Sequence, residues 1–135
     1  MEKSHDAVIE SHDATPLWFS CFAWLLPAGI LTQFLTAGLG LFLDPGLLGL
    51  HGAIGVSIAL PTIGLLAGSL ALMRLRGLAW LAAIVTALYG VQVVLAAGGA
   101  GLPLSLHPAN GALLLCASLA LLAKVERRRT RATLA

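Results

Sequence analysis

Two short segments of this chain share a pattern with chemical content. Residues 48–55 read LGLHGAIG and residues 104–111 read LSLHPANG; five of the eight positions are identical, namely two leucines, the histidine, the alanine and the glycine. His51 and His107 therefore occupy equivalent places in two apolar stretches. A single histidine near a membrane surface is ordinarily a polar boundary residue, but two in a repeated motif point to a shared role. Neutral imidazole is the commonest metal-ligating side chain. Only two strong ligands are offered, with no adjoining carboxylates or paired cysteines, which serves a zinc or copper site poorly. Two histidines suffice where a macrocycle supplies the other ligands, as for haem iron with two axial imidazoles.

The neighbouring residues fit a flat ligand. Gly55 and Gly111 each lie four residues after a histidine, on the same helical face, where a missing side chain makes room for a porphyrin. Thr62 and Ser118 each lie eleven residues after a histidine, again on that face, whereas Gly64 lies off it. Gln33 precedes His51 by 18 residues and Gln92 precedes His107 by 15, so each sits on the preceding helix and is placed to hydrogen-bond the ligands or the macrocycle. The candidate cofactor-binding set is His51, His107, Gly55, Gly111, Gln33, Gln92, Thr62 and Ser118, with His51 and His107 as the metal ligands and one haem b as the cofactor. Asn110 is a candidate cap or bridge between helices, and Tyr89 a candidate to pack against a ring. Haem propionates would point toward loops without lysine or arginine, and would meet instead the positive N-terminal ends of the second and fourth helices.

These residues need elements to hold them, and the composition names the elements. Hydrophobic residues make up 59% of the chain and charged ones 10%, against about a quarter charged in ordinary globular proteins. No charge falls between Ala14 and Leu43, between Pro45 and Met73, or between Gly77 and Ala123. Each gap holds one or two apolar runs of the roughly 18 residues that mark a membrane-spanning helix. The expected fold is an all-α membrane protein, a four-transmembrane-helix up-down bundle built from a duplicated helical hairpin. Thr15 reads as the N-cap and Pro16 as the first helical position of a helix ending near Phe42. Asp44-Pro45-Gly46 is a turn signal, and a second helix follows from about Leu47 to Met73 with a kink at Pro61. Arg74–Gly77 forms a short loop, a third helix covers about Leu78 to Ala97, Gly98–Pro103 forms a third loop, and the last helix covers about Ser105 to Val125. The second and fourth helices are then parallel and diagonal across the bundle, with both histidines about one turn inside the same end.

The domains are a polar tail at 1–14, the four-helix transmembrane domain at 15–125 and a basic tail at 126–135. The first tail repeats Ser-His-Asp-Ala, at residues 4–7 and 11–14, and reads as a solvated segment rather than a metal site. Lysine and arginine occur in the N-tail, in the second loop (Arg74, Arg76) and in the C-tail, but not in loops 1 and 3. The basic side is expected to be cytoplasmic, which puts both termini inside and both histidines near the outer face of a bacterial inner (plasma) membrane. Trp18, Trp24 and Trp80 fall toward the inner side, as an aromatic belt does. The cluster Lys124, Arg127, Arg128, Arg129 and Arg131 reads as a stop signal and lipid-headgroup anchor rather than a nucleic-acid surface. Cys21 and Cys116 lie in apolar runs and read as small hydrophobes.

At its histidine motifs the chain resembles one four-helix half of haem A synthase, which carries a histidine on its second and fourth helices. It is also similar to small four-helix bacterial membrane proteins with an L-H-P-x-N element, here Leu106 to Asn110. The resemblance extends over most of residues 17–123 and implies that His51 and His107 are ligands of a b haem. This chain is half the length of haem A synthase and lacks the outward cysteine pair and the membrane-embedded glutamate of its catalytic half. The resemblance therefore implies haem binding without haem oxidation by this chain alone. The expected function is that of a small b-type cytochrome-like membrane protein, in electron transfer or haem handling, an electron carrier or subunit rather than a stand-alone enzyme. Its expected partners are the lipid bilayer, a membrane redox partner or complex subunits, and a second copy of itself. The alternative is a cofactor-free accessory or assembly subunit. A transporter fits poorly, because the spans embed no carboxylate or basic residue.

Overall fold

The structure, a computed structural model, describes residues 15–134, so the repeated Ser-His-Asp-Ala tail lies outside the described residues. Over that range the chain is almost entirely helical: α1 (Leu17–Phe42), α2 (Leu47–Ser57), α3 (Ala59–Ala71), a 3-10 turn (Met73–Leu78), α4 (Ala79–Ala97) and α5 (Leu102–Leu134). These make four helices long and apolar enough to cross a membrane, with α2 and α3 forming the second span and the 3-10 turn leading the third.

Local chemistry accounts for the boundaries. α1 starts one residue later than expected: Pro16, not Thr15, is its N-cap, without a side-chain cap, and the Pro16 carbonyl accepts from the Phe19 and Ser20 amides. The Asp44 turn forms as expected, with Asp44 Oδ1 accepting from the Gly46 amide at 2.8 Å. The second span breaks at Ile58, between α2 and α3, rather than bending at Pro61 itself. Proline lacks an N–H and its ring crowds the carbonyl four residues earlier, which here belongs to Ser57, so the distortion falls upstream. In the third loop Gly99 and Gly101 have φ of 69° and 65°, a region open to glycine, and this tight turn lets α5 begin at Leu102 with Pro103 in its first turn.

The larger difference lies at the C-terminal end. α5 does not stop near Val125 but continues through the basic segment to Leu134. No glycine or proline interrupts residues 126–134, Glu126 pairs with Arg129 one turn on at 3.2 Å, and cations are favoured near a helix C-terminus. Arg128 donates to the Arg74 carbonyl, which ties the extension to the 3-10 turn.

The first span packs on the second and fourth, and the third span packs on the same two, which leaves the second and fourth spans diagonal. The buried core is not spread evenly along the bundle. Phe19, Leu26, Leu65, Leu75, Leu78, Leu121 and Val125 are all almost completely buried and sit toward the basic end. α2, at the other end, contributes no buried residue. The outside is apolar: Val56, Leu60, Ile63, Val94 and Leu113 are each at least 59% exposed. Within each span's most apolar window only 22–33% is buried.

Candidate functional site

The unevenly packed end opens into a cavity of about 390 Å³, inside the roughly 300–1,000 Å³ range of small-molecule sites. All four spans line it. Its walls are mostly apolar, with Gln33, His51, Tyr89, Gln92 and His107 as the polar contributors. Gly55 and Gly111 are in the lining as well. Six of the eight residues proposed from sequence thus meet at one place.

Thr62 and Ser118 do not. They are buried, but each hydroxyl donates to a carbonyl of its own helix, Thr62 to Ile58 at 2.8 Å and Ser118 to Leu115 at 2.8 Å, and neither lines the cavity. Eleven residues of helix rise about 16 Å, so sharing a face with a histidine leaves them in the packed half.

The two imidazoles face each other across the bundle, with ring centroids 6.2 Å apart and planes inclined by 59°. His51 is held firmly. Its Nδ1 lies 3.1 Å from the Gln33 carbonyl and 3.4 Å from Thr36 Oγ1. A carbonyl only accepts, so Nδ1 carries the proton and Nε2 keeps its lone pair. The Thr36 hydroxyl donates to the Thr32 carbonyl at 2.9 Å and is left to accept from His51. Its place three residues after Gln33, on the same face, is the sequence signal that would have found it.

The other half is similar but looser. His107 is directed toward the Gln92 backbone, yet its Nδ1 is buried without a completed hydrogen bond. Asn110 accounts for part of the difference: its Nδ2 donates to Gln92 Oε1 at 2.6 Å and to the Leu88 carbonyl at 3.0 Å, bridging α4 and α5. The corresponding position in the first half is Ile54. Gln33 accordingly has no such clamp, and its Nε2 is buried without a partner. An orphaned amide donor beside a cavity is exceptional, since buried donors are nearly always satisfied.

The glycines do not open onto empty space. A Cβ on Gly55 would lie 3.1 Å from Gln33 Oε1, and one on Gly111 would lie 3.2 Å from Gln92 Nε2 and 3.3 Å from Phe34 Cζ. Each glycine admits the glutamine of the preceding span. Tyr89 donates to the Gly55 carbonyl at 3.0 Å. Gly64, off the histidine face, is no neutral position either: a Cβ there would collide with the Phe22 ring. Among the described residues no group of three or more His, Cys, Asp or Glu side chains gathers. Cys21 and Cys116 are free and exposed on the bundle exterior.

Fold and site together define a four-helix bundle of membrane-spanning dimensions with a histidine-paired apolar cavity at one end. The chain belongs to the DUF6220 family, a family of unknown function, which matches residues 33–100. That half of the chain starts at Gln33, includes His51, Gly55, Tyr89 and Gln92, and ends before His107. No curated protein and no solved structure matches the chain.

Proposed function

We propose that this protein is a small integral membrane protein of the b-type cytochrome kind, which holds one haem between His51 and His107 for electron transfer or haem handling. The observation that carries the reading is the 6.2 Å separation of the two rings. A metal bonded to two imidazoles lies about 2.0 Å from each nitrogen, and each nitrogen about 1.1 Å from its ring centre, so the centroids of an axial pair stand roughly 6 Å apart.

Three further features support it. The Gln33 carbonyl fixes the His51 tautomer with Nε2 free, the usual outer-shell arrangement of a ligating histidine. Gln33 Nε2, buried and unpaired at the cavity, is a group that a polar ligand edge would satisfy. The mostly apolar lining sets a low dielectric around a redox centre. Bound haem would supply one-electron redox chemistry. This chain's residues would hold it, orient the imidazoles and exclude water.

The setting belongs to the same reading. The apolar exterior calls for lipid, and the lysine and arginine distribution supports a cytoplasmic basic end with the cavity near the outer face of a bacterial inner membrane. The recurring glutamine-to-glycine contact supports descent from a duplicated hairpin, and the resemblance to one half of haem A synthase agrees with the placing of one histidine on each of two diagonal spans.

The test is the reduced-minus-oxidised spectrum of the detergent-purified protein. It should show six-coordinate low-spin haem near one per chain, and His51→Ala or His107→Ala should each abolish low-spin ligation. Unchanged spectra in both variants would overturn the assignment. A colourless, well-folded protein would favour a cofactor-free accessory subunit.

A further inference from the structure

At the opposite end of the bundle a second depression, of about 330 Å³, lies between α5 and the 3-10 turn. It is lined by Gly77, Leu78, Lys124, Arg127, Arg128 and Arg131. The four cations are spaced i, i+3, i+4 and i+7, so they fall on one face of the extended helix. Like charges at these spacings repel, and the face carries no carboxylate of its own. Glu126, the one acidic residue of this segment, points elsewhere and is engaged by Trp24 Nε1 at 3.1 Å and by Arg129 at 3.2 Å. A face built this way is stable when an anion occupies it.

The depression has shape and depth as well as charge. Arg128 is anchored through one guanidinium nitrogen to the Arg74 carbonyl, while its Nε is buried and without a partner. Lys124 Nζ lies 5.0 Å from the centre of the Trp80 ring. Trp80 and Trp24, both more than half exposed, sit at this level, and exposed tryptophans mark the membrane–water interface. The cations thus begin at headgroup depth and extend outward along α5. Gly77 leaves open space on the facing wall.

We propose that this depression is a phosphate-binding site, filled in the membrane by the phosphodiester of an anionic phospholipid headgroup. Arg127 and Arg131 offer planar forks suited to phosphate oxygens, Lys124 supplies a point charge at the shallow end, and Arg128 presents its unpaired Nε. The site rests on the membrane reading of the bundle and not on the haem.

The full chain is reconstituted in nanodiscs of equimolar phosphatidylcholine and phosphatidylglycerol, and lipids retained on release are counted by native mass spectrometry. In a second arm, lipid-free protein in neutral detergent is titrated calorimetrically with inorganic phosphate. Preferential retention of phosphatidylglycerol, lost by about twenty-fivefold in Arg127→Gln/Arg131→Gln at about fivefold per basic residue, supports the lipid source. Saturable phosphate binding without lipid preference, lost in the same variant, supports a free-phosphate source. Arg129→Gln, on the opposite face, should change neither. Lys124→Gln, which spares the arginine anchors, provides a second variant with an expected partial loss. Equal retention of both lipids together with no phosphate binding, or wild-type behaviour of the double variant, would overturn the site.

Discussion

The hydroxyl of Tyr89 donates to the Gly55 carbonyl at 3.0 Å and so fastens the third span to the second at the level of the cavity. α2 buries no side chain, so this bond is one of the few specific ties that keep the segment in place. Tyr89→Phe removes the bond and little else. The expected loss is about 1 kcal/mol, read as a lower thermal midpoint in detergent, with faster exchange of the α2 amides than of those in α3. Uniform exchange along the second span would show that α2 is held by something else.

The Thr36 hydroxyl shares the Nδ1 proton of His51 with the Gln33 carbonyl. Thr36→Val keeps the shape and deletes the acceptor. Outer-shell changes of this kind typically cost about 10–100-fold in metal affinity. With the carbonyl still in place, a loss at the lower end of that range is expected, together with a shifted haem midpoint potential in a redox titration. His107 has no such hydroxyl partner, and its surroundings are set instead by the Gln92–Asn110 pair.

Gly55→Leu and Gly111→Leu push a side chain into Gln33 and Gln92 respectively. Overpacking costs about 1–3 kcal/mol, and because each displaced glutamine has only the cavity to move into, the expected result is lowered haem occupancy with helicity retained by circular dichroism. Gly90, where a Cβ meets nothing within 4 Å, is the proper control and should tolerate leucine. Gly64→Leu should instead destabilise the packed half through Phe22.

Orientation is read by reporter fusions. Fusions after residue 46 or 101 should report the outer side and fusions after residue 76 the cytoplasm, in line with the basic residues Arg74 and Arg76 in the second loop. The reverse pattern would move the cavity to the inner face.

The four spans and the meeting of His51 with His107 were legible because they depend on long-range simple signals: charge-free runs, and a repeated motif that fixes depth. Thr62 and Ser118 were misplaced because helical periodicity reports the face and not the height, and only packing reveals where along the axis the core stops. Packing also decides what Gly55 and Gly111 face. Small residues were needed beside the histidines, but what they make room for is Gln33 and Gln92, which sequence spacing put on the neighbouring spans without showing how far their amides reach. The extension of α5 was hidden by treating a run of arginines as a tail, when its spacing is that of a helical face.

The break at Ile58 has a consequence for how the cavity is walled. Ile58 is itself buried, against Gly29 of α1, so the point of fracture is pinned while the segment beyond it is not. α2 buries no side chain of its own, but it covers Thr36 and Gly40 of α1, through His51 and Leu48, and is tied across the bundle by the Tyr89 and His51 hydrogen bonds. α2 is therefore the thinly anchored wall of the cavity and α3 its fixed one, and on the haem reading the two imidazoles stand on walls of unequal firmness, His51 on the segment beyond the break and His107 on an unbroken helix.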